Sequence, residues 1–259
     1  MAYRFAVERA DYSDYAGGQV FYSLPGRPAL PVRLTSEILQ RCLALRPAPY
    51  RLYDPLCGGA YLLCVLAYLH WEAIRELIGS DIDPEAVRLA ERNLALLTTN
   101  GLEERRQKLQ ALAAAYGKES HQAALEALGR LEARLRRHLA VHPIRMQLFQ
   151  ADALDPRSLL QHLGPGSVDV VITDLPYGLQ SQWQGESGAA AKAAGRPSPP
   201  PAWRLLDALR AVLAPSALVA IAADKKQKIA HERYRRREHF HVGKRQVTIL
   251  QIMGGVGRL

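Results

Sequence analysis

The sequence predicts an α/β fold in which helices cover both faces of a mostly parallel sheet. After residue 50, short β-branched or aromatic runs alternate with segments of helical periodicity, which is the pattern of parallel sheets. Turns rich in Gly and Asp follow several of these runs. Near the end of the chain, two β-like runs flank Val242, Gly243 and Lys244, which predicts an antiparallel hairpin over residues 239–252.

The first part of the chain differs from the rest. Residues 1–30 lack clean periodicity and predict an irregular leading segment. A helix is predicted from Val32, with Thr35 or Ser36 as its N-cap and Pro47 and Pro49 after its end. We therefore expect an N-terminal segment with a leading helix over residues 1–49, followed by one larger domain over residues 50–259.

The larger domain shows the alternation directly. Asp83 followed by Pro84 is typical of a helix start. Helices are predicted over residues 61–69 and 84–97, and strands over residues 50–53, 73–79, 144–150, 168–173 and 218–222.

Two segments interrupt this alternation. Residues 102–140 are rich in Ala, Leu, Glu and Arg and free of Pro, which predicts one or two inserted amphipathic helices. They can serve as packing helices with a solvated basic face, or as an RNA-contacting arm carrying Arg130, Arg134, Arg136 and Arg137. Residues 179–201 are low in complexity and predict a mobile loop, either a lid or a tolerated insertion.

Composition excludes several classes of protein. The chain has 259 residues, of which 48% are hydrophobic, so a disordered tail protein is excluded. Three cysteines exclude a disulfide framework. We find no signal peptide, no apolar run long enough to span a bilayer and no metal-ligand spacing. A cytoplasmic protein without a metal is therefore expected, and its net charge of +9 favours an anionic partner.

Three acidic turns follow predicted strands, where ligands of open α/β sheets bind. In the first, Gly58 and Gly59 follow Asp54, and glycines let a ligand approach the backbone; a plain tight turn explains this stretch equally well. In the second, Asp81 can accept hydrogen bonds from ribose hydroxyls. In the third, Asp152 can accept from an adenine amine or can serve only as a turn residue.

A fourth turn directly follows the strongly β-branched strand at 168–173. Asp174 and the carbonyl of Leu175, which Pro176 follows, could accept two N–H bonds from an exocyclic amine, and Tyr177 could stack on a planar base. We predict that Asp174, Leu175, Pro176 and Tyr177 form the catalytic motif.

The four turns, in this order and spacing, resemble those of Rossmann-like S-adenosylmethionine-dependent methyltransferases of the branch that modifies exocyclic amines through an [N/D]PPY motif. The likeness is strongest to the avilamycin-resistance type of ribosomal RNA guanine methyltransferase. It rests on PVRL at residues 31–34, DPLCG at 54–58 followed by YLL, SDIDP at 80–84, NLALL at 93–97, the helical insertion and TDLPYG at 173–178. Two positions depart from the family pattern, since Ala60 stands where Gly is usual and Leu175 replaces the first Pro of the motif.

The resemblance implies a seven-stranded sheet, S-adenosylmethionine as cofactor and a guanine of 23S ribosomal RNA as substrate, with resistance to a ribosome-targeting antibiotic. It also implies that residues 54–60 lie against the methionine part of the cofactor, Asp81 against its ribose and Asp152 against its adenine. The residues predicted to hold the cofactor are Asp54, Pro55, Cys57, Gly58, Gly59, Asp81, Asp83 and Asp152.

Basic residues concentrate over residues 225–245, interleaved with aromatic side chains. Phosphate contacts and stacking rings suit structured RNA, although a solvated basic face or flexible loop would look the same. The predicted RNA-binding residues are Lys225, Lys226, Lys228, Arg233, Arg235, Arg236, Arg237, Lys244 and Arg245.

Three alternatives remain open from the sequence. The chain could methylate an exocyclic amine in DNA, or a glutamine of a release factor through a related motif. It could also be an RNA-binding protein with weakened catalysis, for which Ala60 and Leu175 are the main support.

Overall fold

A computed structural model of the protein describes residues 3–23, 29–176 and 199–253. The helices are α1 Val32–Leu45, α2 Tyr61–His70, α3 Pro84–Ala95, α4 Thr99–Tyr116, α5 Glu119–Val141, α6 Pro156–Leu160 and α7 Pro201–Leu209. The strands are β1 Tyr50–Asp54, β2 Ile74–Asp81, β3 Arg145–Gln150, β4 Val168–Asp174, β5 Leu213–Asp224, β6 Tyr234–Val242 and β7 Arg245–Ile252. Short 3-10 turns cover Ser13–Tyr15 and Trp71–Ala73.

The described strands form one seven-stranded sheet in the order β3-β2-β1-β4-β5-β7-β6. The first five are parallel, and β7 and β6 run antiparallel at one edge. The predicted α/β class, the mostly parallel sheet and the C-terminal hairpin are thereby confirmed. The chain order reverses between β1 and β4, and open α/β sheets bind ligands at such a switch point, beyond the carboxyl ends of the strands.

Two hydrophobic cores lie on opposite faces of the sheet. One contains Leu52, Ala222 and Val247 together with α1, α2 and the helical insertion. The other contains Tyr53 and Val171 together with α7. Alternate residues of each central strand therefore face different cores. The same alternation determines on which face of the sheet each side chain at a strand end lies.

The leading segment is irregular, as predicted, but it is firmly anchored. The buried carboxylate of Glu37 in α1 accepts the backbone N–H groups of Arg4, Phe5 and Ala6 at 2.7, 2.9 and 2.7 Å. These bonds hold the pKa of Glu37 below its ordinary value against the opposing effect of burial. The predicted N-cap of α1 was wrong, because the helix begins directly after Pro31 and Thr35 and Ser36 are buried inside it.

The insertion forms two helices, α4 and α5. Leu128, Leu131 and Leu135 of α5 are buried. Arg130 pairs with Asp14 at 2.8 Å, and Arg134 contacts the hydroxyl of Tyr15. The insertion thus packs against the leading segment, which supports the packing interpretation for this pair of helices.

Other boundaries shift. The predicted strand at 218–222 extends over the whole of β5, and β6 starts five residues before the predicted hairpin. The sequence pattern missed the start of β6 because Arg235, Arg236 and Arg237 interrupt it, and such charges are common on edge strands. Most of the predicted mobile loop, residues 179–198, lies outside the described residues, and its last residue, Pro201, begins α7.

Candidate active site

The site lies at the carboxyl edge of the sheet, where β1 and β4 end side by side. Leu52 of β1 pairs with Val170 of β4, so Asp54 and Asp174 occupy the two strand ends at the switch point. Thr173 bridges the two strands, since its hydroxyl donates to Asp54 Oδ1 at 2.7 Å. The structure thereby brings together the first and fourth predicted turns.

Asp54 is a buried carboxyl group. Its exposed fraction is 3%, and its Oδ1 also accepts the backbone N–H of Leu56 at 3.1 Å. Burial raises the pKa of Asp54 to about 7, with further contributions from the negative charges of Asp81 and Asp174. The group is therefore balanced between its neutral and ionised forms near neutral pH, and a cation placed beside it would favour ionisation.

The glycine turn after Asp54 is tied to the end of β2. Cys57 N–H donates to the carbonyl of Ser80 at 2.9 Å, and the Ser80 hydroxyl donates to the carbonyl of Pro55 at 3.4 Å. Gly58 has φ +52°, and a Cβ there would meet nothing within 4 Å. Its N–H donates to Asp81 Oδ2 at 2.9 Å. The turn thus presents bare backbone to open space beside Asp81, as a cofactor site requires.

The next two positions face the protein rather than the open side. A Cβ on Gly59 would lie 2.6 Å from Leu89 Cδ2, so a larger residue there would have to displace the Leu89 side chain. Ala60 has φ 54° in the left-handed region, and its methyl group belongs to the hydrophobic core. The departure at Ala60 therefore adds a methyl to the core and some backbone strain and leaves the open face of the turn unchanged.

Asn93 is a site residue that the sequence reasoning missed. It is fully buried, and its Nδ2 donates to the carbonyls of Gly59 at 2.8 Å and Tyr22 at 3.0 Å, while its Oδ1 accepts the N–H of Tyr22 at 2.8 Å. Asn93 therefore ties the glycine turn after Asp54 to the leading segment. Its position in NLALL marked the resemblance, but nothing local in the sequence reports these long-range bonds.

The other acidic residues that the sequence predicts to hold the cofactor accept local hydrogen bonds from the backbone. Asp81 Oδ1 accepts the N–H of Asp83 at 3.0 Å. Asp83 caps α3, accepting the N–H of Glu85 at 2.9 Å, which supports its interpretation as the helix cap. Asp152 Oδ1 accepts the N–H of Leu154 at 2.8 Å. Asp81 and Asp152 are both half-buried, so each could still contact a ligand from the open side.

Asp174 is the most unusual group of the site. Its Oδ1 is buried and finds no hydrogen-bond partner in the described residues. Burial raises its pKa to about 7, and the nearby positive charge of Arg245 acts in the opposite direction. A buried acceptor without a donor is costly, so this atom is suited to receive a donor from a substrate.

The rest of the fourth turn is partly fixed by its neighbours. Leu175 is buried and its N–H donates to the carbonyl of Ala222 at 2.9 Å. The carbonyl of Pro176 accepts from Gln227 Nε2 at 3.3 Å. Tyr177, predicted to stack on the base, lies outside the described residues.

The basic stretch divides into two parts. Arg245 begins β7, is half-buried and lies near Asp174. The other eight predicted RNA-binding residues are exposed on the β5–β6 loop, the edge strand β6 and its hairpin turn: Lys225, Lys226, Lys228, Arg233, Arg235, Arg236, Arg237 and Lys244.

Neither a nucleophilic thiol nor a metal cluster is found at this site. Cys42, Cys57 and Cys64 are buried, and burial raises the pKa of all three thiols. Within the described residues, no three His, Cys, Asp or Glu side chains are grouped to hold a metal ion, and no helix is long and apolar enough to cross a membrane.

Comparisons with known proteins agree with this arrangement. The profile of a family described as rRNA methyltransferase AviRa matches residues 1–245. The chain is 40% identical, over 252 residues and 96% of each protein, to the 23S rRNA (guanine(2535)-N(1))-methyltransferase of Streptomyces viridochromogenes. Two crystal structures of rRNA methyltransferase AviRa from that organism cover 97% of this chain, with TM-scores of 0.82 and 0.83 and identities of 38% and 39%.

Proposed function

The chain belongs to the AviRa family of ribosomal RNA methyltransferases, and from that membership we propose that it transfers a methyl group from S-adenosylmethionine to the ring nitrogen N1 of a guanine in 23S ribosomal RNA. The supporting observation is the buried, unpartnered Oδ1 of Asp174 at the switch point of the sheet. The motif alone led us to expect an exocyclic amine, whereas the relative's name specifies N1.

The residues around the switch point fit the cofactor. The bare backbone of Gly58 and the half-buried carboxylate of Asp81 suit its sugar and chain, and the buried carboxyl of Asp54 suits its ammonium group. We assign Asp152, which follows the end of β3, to its adenine. S-adenosylmethionine supplies a methyl group already activated as a sulfonium, so the chain's own residues need only bind, orient and move a proton.

The proton at N1 explains why a carboxylate is suited to this motif. Guanine N1 carries a hydrogen at neutral pH, and its electron pair becomes available only when that proton is removed. A base with a pKa of about 7 combines sufficient ionisation with useful basicity under these conditions. We assign Asp174 as that base and the Leu175 carbonyl as an acceptor for the neighbouring 2-amino group, with Tyr177 stacking on the extruded ring.

The eight exposed cations and the half-buried Arg245 favour an RNA substrate over the alternatives. A release-factor glutamine methyltransferase has no need of so many phosphate-binding side chains on one edge of its sheet, and the Asp at position 174 in place of Asn also disfavours it. DNA has the same phosphate chemistry, so a direct comparison of substrates must separate it from RNA.

The decisive experiment combines labelled S-adenosylmethionine with 23S rRNA, tRNA, DNA and a release factor in parallel. We expect incorporation into 23S rRNA, a reverse-transcriptase stop at one guanine, because N1 methylation blocks pairing, and 1-methylguanosine on nucleoside analysis. The absence of 1-methylguanosine would refute the proposal. Expression in a sensitive host should then raise tolerance to an antibiotic that binds at the modified nucleotide.

Asp174→Asn tests the assignment of the base. It keeps the shape of the side chain but cannot take a proton, so methyl transfer should fall by at least about 100-fold while cofactor binding persists. Glu104→Gln, the same exchange of a carboxylate for an amide at an exposed position of α4, is the matched control and should behave as the wild type. Near-normal transfer by Asp174→Asn would remove Asp174 from the mechanism.

A further inference from the structure

Arg245 shares one face of the sheet with Asp174. In the register of the central strands, Asp174 pairs with Ala222, Ala222 pairs with Val247, and Asp224 pairs with Arg245. Paired residues of adjacent strands project to the same face, and Ala222 and Val247 lie in the same core. Asp174 and Arg245 therefore both lie above that core, at the carboxyl edge of the sheet, with only β5 between their strands.

Hydrogen bonds fix this edge of β7 to the catalytic turn. Gln246, which is buried, donates through Nε2 to the carbonyl of Asp224 at 2.9 Å and to the carbonyl of Gln227. Gln227 in turn donates to the carbonyl of Pro176 at 3.3 Å and accepts the N–H of Asp224 at 3.0 Å. The start of β7 and the turn after β4 thus form one bonded unit, so Arg245 and Asp174 keep a fixed relation.

The electrostatic behaviour agrees with that placement. The guanidinium of Arg245 lowers the pKa of Asp174 against the larger, opposing effect of burial. The negative charge of Asp174 also contributes to the raised pKa of Asp54 on the neighbouring strand. The site therefore places Asp174 near one half-buried cation, Arg245, which is separate from the exposed basic residues of β6.

We propose that Arg245 is a further catalytic residue, which donates a hydrogen bond to O6 of the target guanine while Asp174 removes the N1 proton. The inference rests on the proposed function. In this step the N1–H bond breaks, the proton moves to Asp174, and the electron pair remains on the ring, shared between N1 and O6. A guanidinium beside O6 stabilises that negative charge. The pair on N1 then forms the bond to the methyl carbon while the bond from that carbon to the sulfonium sulfur breaks, and its electron pair stays on sulfur as S-adenosylhomocysteine.

The same placement explains a preference for guanine over adenine. Guanine presents an acceptor at O6, a donor at N1 and a donor at its 2-amino group, which complement Arg245, Asp174 and the Leu175 carbonyl. Adenine carries an amine in place of O6 and an acceptor in place of N1–H. Two of the three contacts would therefore bring like groups together, and such mismatches are strongly disfavoured in a dry pocket.

Arg245→Gln and Arg245→Lys test the proposal in the full-length protein. With saturating cofactor and 23S rRNA, we expect Arg245→Gln to lower kcat by about 100-fold, the usual effect of removing one donor to a developing anion. The acidic limb of the kcat–pH profile should move to higher pH, because Asp174 loses the cation that lowers its pKa. Arg245→Lys should retain part of the rate, and its acidic limb should move less. The affinity for the cofactor, measured by calorimetry, should stay unchanged in both variants.

Arg75→Gln is the matched control. It removes an arginine from an ion pair with Asp169 at the opposite, amino edge of the sheet, so its rate and pH profile should equal those of the wild type. Thermal unfolding shows whether each variant folds. If Arg245→Gln does not fold, the proposal is tested with Arg245→Lys. A wild-type rate with an unmoved limb in a folded Arg245 variant would overturn the proposal. A wild type that forms no 1-methylguanosine would instead overturn the proposed function.

Discussion

Replacing Asp54 by Asn should stabilise the protein increasingly as the pH rises. Asp54 is buried, and its pKa is raised from 3.8 to about 7 in the folded protein. The folded state therefore holds this proton more tightly than the unfolded chain does. The stabilising contribution of the neutral group is complete below the unfolded pKa and is lost as the pH rises through the folded one.

The magnitude follows from these two pKa values. Between pH 5 and pH 8, linkage predicts that the wild type loses about 2–3 kcal/mol of unfolding free energy through this group alone. Asn is neutral throughout and can still accept from Thr173 and Leu56 through its carbonyl oxygen. Its own packing and hydrogen-bond effects do not depend on pH, so the pH-dependent part of the stability difference between variant and wild type reports the ionisation of Asp54, together with its electrostatic coupling to Asp174.

Urea unfolding of both proteins at pH 5, 6, 7 and 8, without cofactor, measures the difference in their unfolding free energies. Glu104→Gln, at an exposed position of α4, serves as control, and the difference in unfolding free energy between this variant and the wild type should stay constant over the same pH range. A constant difference for Asp54→Asn would refute the reasoning, since it would mean that the carboxyl ionises at its ordinary pKa. Calorimetric titration with S-adenosylmethionine at pH 6.5 completes the test, because proton release should accompany binding to the wild type and disappear in Asp54→Asn.

Three further predictions concern the glycine turn after Asp54, its neighbour Asn93 and the basic edge strand β6. Ala60→Gly should change the free energy of unfolding by less than about 1 kcal/mol, because relief of the left-handed strain offsets the added chain flexibility and the lost burial of the methyl group. This variant should bind S-adenosylmethionine normally, whereas Gly58→Ala should bind it more weakly. Equal affinities of the two variants would contradict the assignment of Gly58 to the open side of the turn and of Ala60 to the core side. Asn93→Ala should destabilise the fold by about 1–3 kcal/mol in urea, because buried groups of Gly59 and Tyr22 lose their partner, and a loss below about 0.5 kcal/mol would refute the role of Asn93. Neutralising Arg235, Arg236 and Arg237 together should reduce the slope of log K against log salt for RNA binding by up to about 3, whereas an unchanged slope would exclude them from phosphate contact.

Local patterns predicted most of the fold. The β-branched run at β4 and the Asp83 cap of α3 depend on neighbours within a few residues, so the sequence alone revealed them. The start of β6 was missed because three consecutive arginines conceal an edge strand whose side chains need no core. The N-cap of α1 was misplaced because Thr35 and Ser36 have capping chemistry, and their burial inside the helix depends on tertiary packing.

The candidate site, like the fold, was predictable where it depends on local sequence patterns. The four acidic turns could be placed on a single edge of the sheet, because that edge follows from strand–helix alternation. Asn93 and Gln227 could not be identified, since each acts through bonds to segments distant in sequence. Arg245 was grouped with the RNA-binding residues because the sequence shows only its basic neighbours, and the strand pairing that brings it beside Asp174 is a property of the folded sheet.

Sheet order also accounts for the different roles that we propose for four similar aspartates. Asp54, Asp81, Asp152 and Asp174 all follow strands, and nothing local distinguishes them. The two at the switch point end the central strands β1 and β4, where neighbours on both sides remove water and raise the pKa of each to about 7. Asp81 ends β2 and Asp152 follows β3, toward the edge of the sheet. Both are half-buried, as is the Asp174 residue as a whole, whereas Asp54 is buried. Under the proposed function, proton transfer is therefore assigned to Asp174 at the centre of the sheet, and recognition of the sugar and the adenine is assigned to Asp81 and Asp152 toward its edge.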